Sequence, residues 1–175
     1  MATRLPAVPV EEYLRTFYEP DMEYVNEQLV ERRAGEYFHS WLQSLIVTLL
    51  GSRNQPPKFR VFTEQRLQVN DQPRYRIPDI CVKALPHKPL PVLTHVDLAI
   101  EILSPDDEPA EMLEKIADYT GAGITHVWIV DPYKRRVVTV ENSVLHRLAG
   151  FVTETPLVGP VDFGELFRQL DEPAE

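Results

Sequence analysis

The chain has 175 residues, with 27 Asp and Glu against 18 Lys and Arg, giving a formal net charge of −9. That balance excludes a strongly basic nucleic-acid coat protein, and 43% hydrophobic with 26% charged residues is globular rather than disordered composition. The length predicts one domain over 1–175 with an acidic tail from about 171; the single Cys81 excludes an internal disulfide, and no apolar stretch at the N-terminus is long enough for a signal peptide, so a cytoplasmic location is the expectation.

In chain order, residues 22–32 alternate around Asn26-Glu27 and predict a hairpin. Phe38, Trp41, Leu42, Leu45, Ile46 and Leu49 follow the spacing of an amphipathic helix, which Gly51 is expected to end. The charge-free run 37–52 around it is broken by His39, Ser40, Gln43, Ser44 and Thr48. It falls short of the roughly 18 to 20 apolar residues a bilayer span needs, so no membrane role is expected. Three strand-like runs follow, 59–69, 75–84 and 96–103, the last nearly continuous in apolar character as in a strand covered on both faces. A helix over 108–121, a strand over 125–131 and a β-like stretch over 135–149 come next, and Asp162 is placed to cap a short last helix over 163–170. The order is mixed α/β, with 96–103, the second helix and 125–131 reading as a βαβ unit. The 16 prolines fall mostly between these segments and mark connections.

Charge is unevenly placed. Residues 53–88 hold eight bases against three acids, an excess of +5, whereas 101–118 hold seven acids against Lys115 alone, an excess of −6. The pattern reads either as an ordinary polar exterior or as a basic rim around a carboxylate cluster.

Asp79 and Glu101 are the informative residues, because each is a carboxylate inside an otherwise apolar strand. An unpaired charge there would cost several kcal/mol of desolvation, so it is neutralised, paired or bound to a cation. Alternation puts Leu98, Ile100 and Ile102 on one face of the 96–103 strand and Ala99 and Glu101 on the other. With 75–84 as its neighbour in the sheet, Asp79 and Glu101 converge on one cation. Two hard oxygen ligands suit Mg2+ or Mn2+, which polarise a phosphodiester and supply a hydroxide.

Pro78-Asp79, Glu101-Ile102-Leu103-Ser104-Pro105, the helical Glu111, Lys115 and Tyr119, Gly123-Ile124 and Trp128-Ile129-Val130-Asp131-Pro132 together resemble the Uma-two family of restriction-endonuclease-like proteins, over about residues 10–150. The resemblance implies a PD-(D/E)xK nuclease core, a mixed central β-sheet flanked by helices. It implies that Asp79, Glu101 and the backbone carbonyl of Ile102 bind the metal, and that a lysine orients or activates the attacking water. Position 103 departs from the superfamily pattern, being Leu where Lys is usual, and the family similarly supplies its lysine from the following helix, here Lys115. His39 matches a family histidine at the start of the first long helix, with Glu111 and Tyr119 as further accessory residues. The hairpin also departs, since Asn26-Glu27-Gln28 stands where Asp-Gly-Glu is common. Glu23 and Glu36 are weaker candidates for extra ligands.

Each residue also has a plainer reading. Asp79 can end a strand, Glu101 can be the buried partner of Arg74, Arg76 or Lys83, and His39 can be an ordinary helix histidine. On a helical wheel, Leu113, Ile116, Ala117 and Thr120 form the inward stripe, so Lys115 reads equally as an exposed partner of Glu111. The resulting expectation is a Mg2+- or Mn2+-dependent DNA endonuclease that binds DNA weakly and metal-dependently through basic residues between Arg53 and Lys88, with a homodimer by analogy with the fold. The alternative is a nuclease-fold binding or assembly protein without catalysis. A hydrolase of a small phosphorylated substrate ranks lower, for want of a Gly-rich phosphate loop.

Overall fold

The computed structural model describes residues 4–32, 35–71, 73–141 and 143–171. Its first elements are β1 (Arg4–Ala7), α1 (Val10–Arg15), β2 (Met22–Val25) and β3 (Gln28–Glu31). The hairpin between β2 and β3 turns on Asn26 and Glu27, which both adopt positive φ (52° and 63°), the conformation a two-residue turn needs to match strand twist. After α2 (Tyr37–Arg53) come β4 (Phe59–Thr63), β5 (Leu67–Gln68), β6 (Tyr75–Arg76), β7 (Ile80–Ala84) and β8 (Leu98–Ile102). Then follow α3 (Pro109–Gly121), β9 (His126–Asp131), β10 (Arg136–Glu141), β11 (Val144–Arg147), β12 (Val152–Thr155), β13 (Gly159–Asp162) and α4 (Phe163–Asp171).

The central sheet has six strands in the order β11-β10-β9-β8-β7-β4, and a second sheet has five in the order β1-β3-β2-β6-β5. Within the central sheet only β8 and β9 run parallel, joined by α3 as the βαβ reading expects. Every residue of β8 is buried because both faces are covered. On one face Leu98, Ile100 and Ile102 pack with Leu42, Ile46 and Leu50 of α2 and with Phe163 and Phe167 of α4. On the other, Ala99 and Val127 pack with Ile116 and Tyr119 of α3. Glu101 shares the Ala99 face and therefore projects toward α3.

Helix ends follow local chemistry. Pro109 opens α3 at a position where its missing N–H is not needed. The helix closes where Gly123 takes φ 77° and the Ile124 N–H reaches back to the Tyr119 carbonyl. Asp162 caps α4 as its position suggests, its Oδ1 accepting from the Gly164 N–H at 2.8 Å. Among the described residues no helix is long and apolar enough to cross a membrane.

Four sequence expectations are corrected. Gly51 does not end α2, which continues to Arg53. The 59–69 run is two strands in different sheets, separated at Glu64, whose φ of 53° bends the chain out of the first. The 75–84 run divides likewise into β6 and β7, with Pro78-Asp79 between them. On α3 the expected inward stripe of Leu113, Ile116, Ala117 and Thr120 is replaced by another, since Leu113 and Ala117 are exposed, Ile116 and Tyr119 are buried and Lys115 faces the sheet. The far end of the predicted tail, residues 172–175, lies outside the described residues.

Candidate functional site

The site forms where β6 leaves one sheet and β7 enters the other. β7 pairs antiparallel with β8 through Ile80 and Ile100, and continuing that register one step sets Asp79 opposite Glu101. The Asp79 main chain is pinned there by two donors to its carbonyl, Gln43 Nε2 at 2.9 Å and the Glu64 N–H at 3.2 Å. Its carboxylate is buried. Oδ2 accepts the Ile102 N–H at 2.7 Å and lies 3.3 Å from His39 Nε2, and Oδ1 accepts from Arg32 Nη2 at 2.6 Å. Burial works to raise the Asp79 carboxyl, but the hydrogen bond from His39 and the charge of Arg32 outweigh it and hold it below its ordinary range.

Glu101 is only 2% exposed and takes its donors from α3. The Tyr119 hydroxyl donates to Oε1, and Lys115 Nζ donates to Oε2 at 2.9 Å. Burial raises the Glu101 carboxyl, and although Lys115 opposes this, the nearby charges of Asp79 and Glu23 reinforce it. Burial also holds the Tyr119 hydroxyl well above its ordinary value, so it keeps its proton. For Lys115, burial disfavours the charge, but Glu101 and Glu23 overcome that and hold its ammonium above the usual lysine value.

Glu23, on β2, completes a second layer. It accepts from Arg76 Nη1 at 2.8 Å and from the Ile77 N–H at 3.0 Å, and its Oε1 lies 3.7 Å from Lys115 Nζ. Arg76 in turn donates to Asp118 at 2.6 Å, and Arg74 pairs with Glu114 and Asp118 of α3. The +5 and −6 stretches therefore meet and neutralise each other at these pairs, and Arg74 and Arg76 belong to the internal framework rather than to a basic rim. Neither arginine reaches Glu101, whose cationic partner is Lys115.

Of the residues singled out in the sequence, Asp79, Glu101, Lys115, Tyr119 and His39 converge. Asp79, Glu101, Ile102, Glu111 and Lys115 line one cleft of about 100 Å3. Glu36 instead accepts from the Tyr133 hydroxyl at 3.0 Å. No periodic pattern marks Arg32, which lies directly after β3 at the flank of the hairpin. Among the described residues no group of three or more His, Cys, Asp or Glu is arranged to hold a metal ion. The donor chemistry nevertheless fits Mg2+, which is commonly held by one or two carboxylates with waters and phosphate oxygens completing its shell.

The class these features define is a mixed α/β protein, its central sheet covered by helices, with Asp79 and Glu101 paired at a strand switch and Lys115 on the crossover helix. The family model of Uma2, described as putative restriction endonuclease, matches residues 10–153, and the chain belongs to this family. A crystal structure described as a putative nuclease belonging to DUF820, from Anabaena variabilis, aligns with a TM-score of 0.81 at 23% identity, covering 93% of this chain and 99% of that one. That likeness establishes the fold. The DrdV–DNA complex aligns at a TM-score of 0.42 and 18% identity over 75% of this chain and 12% of that one, too low to carry an argument. No curated protein matches the chain.

Proposed function

We propose that the chain is a divalent-metal-dependent DNA endonuclease whose site is built on Asp79 and Glu101. The observation that carries this reading is the meeting of two buried carboxylates across one strand pair, with a charged lysine beside them. Asp79, Glu101 and the Ile102 carbonyl would hold Mg2+ or Mn2+, which when bound polarises the scissile phosphodiester and lowers the pKa of water.

The protein's own groups set the remaining geometry. Lys115 stays protonated at neutral pH, so it serves as a hydrogen-bond donor that orients water or a phosphate oxygen, not as a base. Tyr119 and Lys115 fix the two oxygens of Glu101, and His39 with the Ile102 N–H fixes Asp79. Cutting both strands of a duplex with one such site per chain calls for two copies, so the proposal includes a homodimer on DNA.

Purified protein with Mg2+ or Mn2+ is expected to nick or cut plasmid DNA. Asp79→Asn and Glu101→Gln should each abolish cutting while the unfolding transition stays cooperative. Cutting that survives both substitutions overturns the proposal.

One observation favours the second reading, a nuclease-fold binding protein without catalysis. Each oxygen of Asp79 and Glu101 already has a donor, and position 103 is Leu. Calorimetric titration with Mn2+ separates the two, because absence of binding favours the non-catalytic protein.

A further inference from the structure

We propose that Arg32 is a gatekeeping residue of the metal site: it competes with a divalent cation for Oδ1 of Asp79 and, when displaced, is received by Glu64. The inference rests on the metal-binding reading above and adds to it a residue that sets how tightly the cation is held.

The donors on Asp79 are of two kinds. The Ile102 N–H belongs to the backbone of a fully buried strand, and His39 belongs to the first turns of a 17-residue helix, so both are fixed on Oδ2. Arg32 instead lies just past β3, on a long side chain with several rotatable bonds, and takes Oδ1. A guanidinium at 2.6 Å takes one lone-pair direction of Oδ1, and its charge would repel a cation brought to the same oxygen in so enclosed a place. Arg32 and the cation therefore compete for Oδ1.

Arg32 has somewhere to go. Its other terminal nitrogen, Nη1, is already 3.6 Å from Glu64 Oε1, and the Glu64 side chain is 49% exposed against 6% for Asp79. The guanidinium thus spans a buried acceptor and a solvated one. Glu64 holds that position through an unusual backbone: it has φ 53° without being glycine, and its N–H donates to the Asp79 carbonyl at 3.2 Å. A left-handed glutamate is strained, and such strain persists where the surroundings over-determine it. Here the bend keeps the second acceptor directly beside the first.

The test is calorimetric titration of the full chain with MnCl2. Arg32→Met is expected to bind Mn2+ roughly tenfold more tightly than the unaltered chain, the scale of removing one close charge competitor. Arg32→Lys, which keeps a charge but loses the planar fork that reaches two carboxylates, should fall between the two and covers the case in which Arg32→Met folds poorly. Glu64→Gln should weaken Mn2+ binding severalfold in the unaltered background and have no effect in the Arg32→Met background, since Glu64 acts through Arg32. Arg32 variants that bind Mn2+ no more tightly than a chain that does bind it overturn the gatekeeping role and leave the metal site standing. A Glu64→Gln effect of equal size in both backgrounds removes Glu64 as the receiver. No Mn2+ binding by the unaltered chain or by either Arg32 variant overturns both the gate and the metal reading.

Discussion

Asp79 and Glu101 face each other across the β7–β8 pair, yet their side chains are fixed by opposite layers of the protein. Asp79 is held by His39 of α2, and Glu101 by Lys115 and Tyr119 of α3. α2 and α3, on opposite faces of the sheet, therefore each supply donors to the site, and packing on either face is transmitted to one of the two carboxylates.

Tyr119→Phe tests the α3 side. It removes the hydroxyl that donates to Glu101 and leaves a buried oxygen without that partner, at a cost of about 1–3 kcal/mol. Urea unfolding should show a loss in that range, and DNA cutting should fall with it. An unchanged unfolding midpoint would mean that the hydroxyl contributes nothing to holding Glu101.

His39 gives the α2 side a pH signature. Burial disfavours its charge, but the hydrogen bond to Asp79 and the Asp79 charge outweigh this and raise it above its ordinary 6.5. A group raised on folding contributes stability that is complete below its unfolded value and is lost as pH rises through its folded value. In the presence of EDTA, the difference in thermal midpoint between the unaltered chain and His39→Gln should be largest at about pH 5 to 6 and shrink as pH rises beyond neutrality. A difference that is constant with pH would show that His39 acts only by packing.

Arg76 supports the framework beneath the site. It is 4% exposed and bridges Glu23 and Asp118, so Arg76→Met leaves Glu23 with Lys115 alone and Asp118 with Arg74 alone, and should cost up to about 3–5 kcal/mol. Adding Glu23→Gln should recover part of that loss, because it removes one of the under-compensated charges. Chemical denaturation of the two variants measures both effects, and equal stability of single and double variants would contradict the coupling.

Because Arg74 pairs with Glu114 and Asp118, it is not available as a free phosphate contact. Arg74→Gln should therefore lower stability while leaving the slope of log affinity for DNA against log salt unchanged. A phosphate contact would instead reduce that slope by about one.

Much of this was legible because a carboxylate in an apolar strand is a conspicuous exception to its surroundings, as at Asp79 and Glu101. The hairpin at Asn26-Glu27 and the cap at Asp162 were legible through turn and cap chemistry, which is local. Lys115 was harder to place because hydrophobic periodicity assumes that inward residues are apolar. On α3 the inward face meets a polar site, so Lys115 points in while Leu113 points out. The division of 59–69 and 75–84 between two sheets was hidden because a period of two continues through a change of strand partner. Arg32 and the Glu23–Arg76–Asp118 chain depend on contacts between residues 42 to 53 positions apart, which no local pattern records.

The decisive measurement is a crystal structure of the chain soaked in MnCl2. An anomalous scattering peak is expected within about 2.0–2.3 Å of one oxygen each from Asp79 and Glu101, with the Arg32 guanidinium moved off Asp79 toward Glu64. Soaked crystals with no peak between those carboxylates, and with Arg32 still seated on Asp79, would rule out a metal site built on this pair.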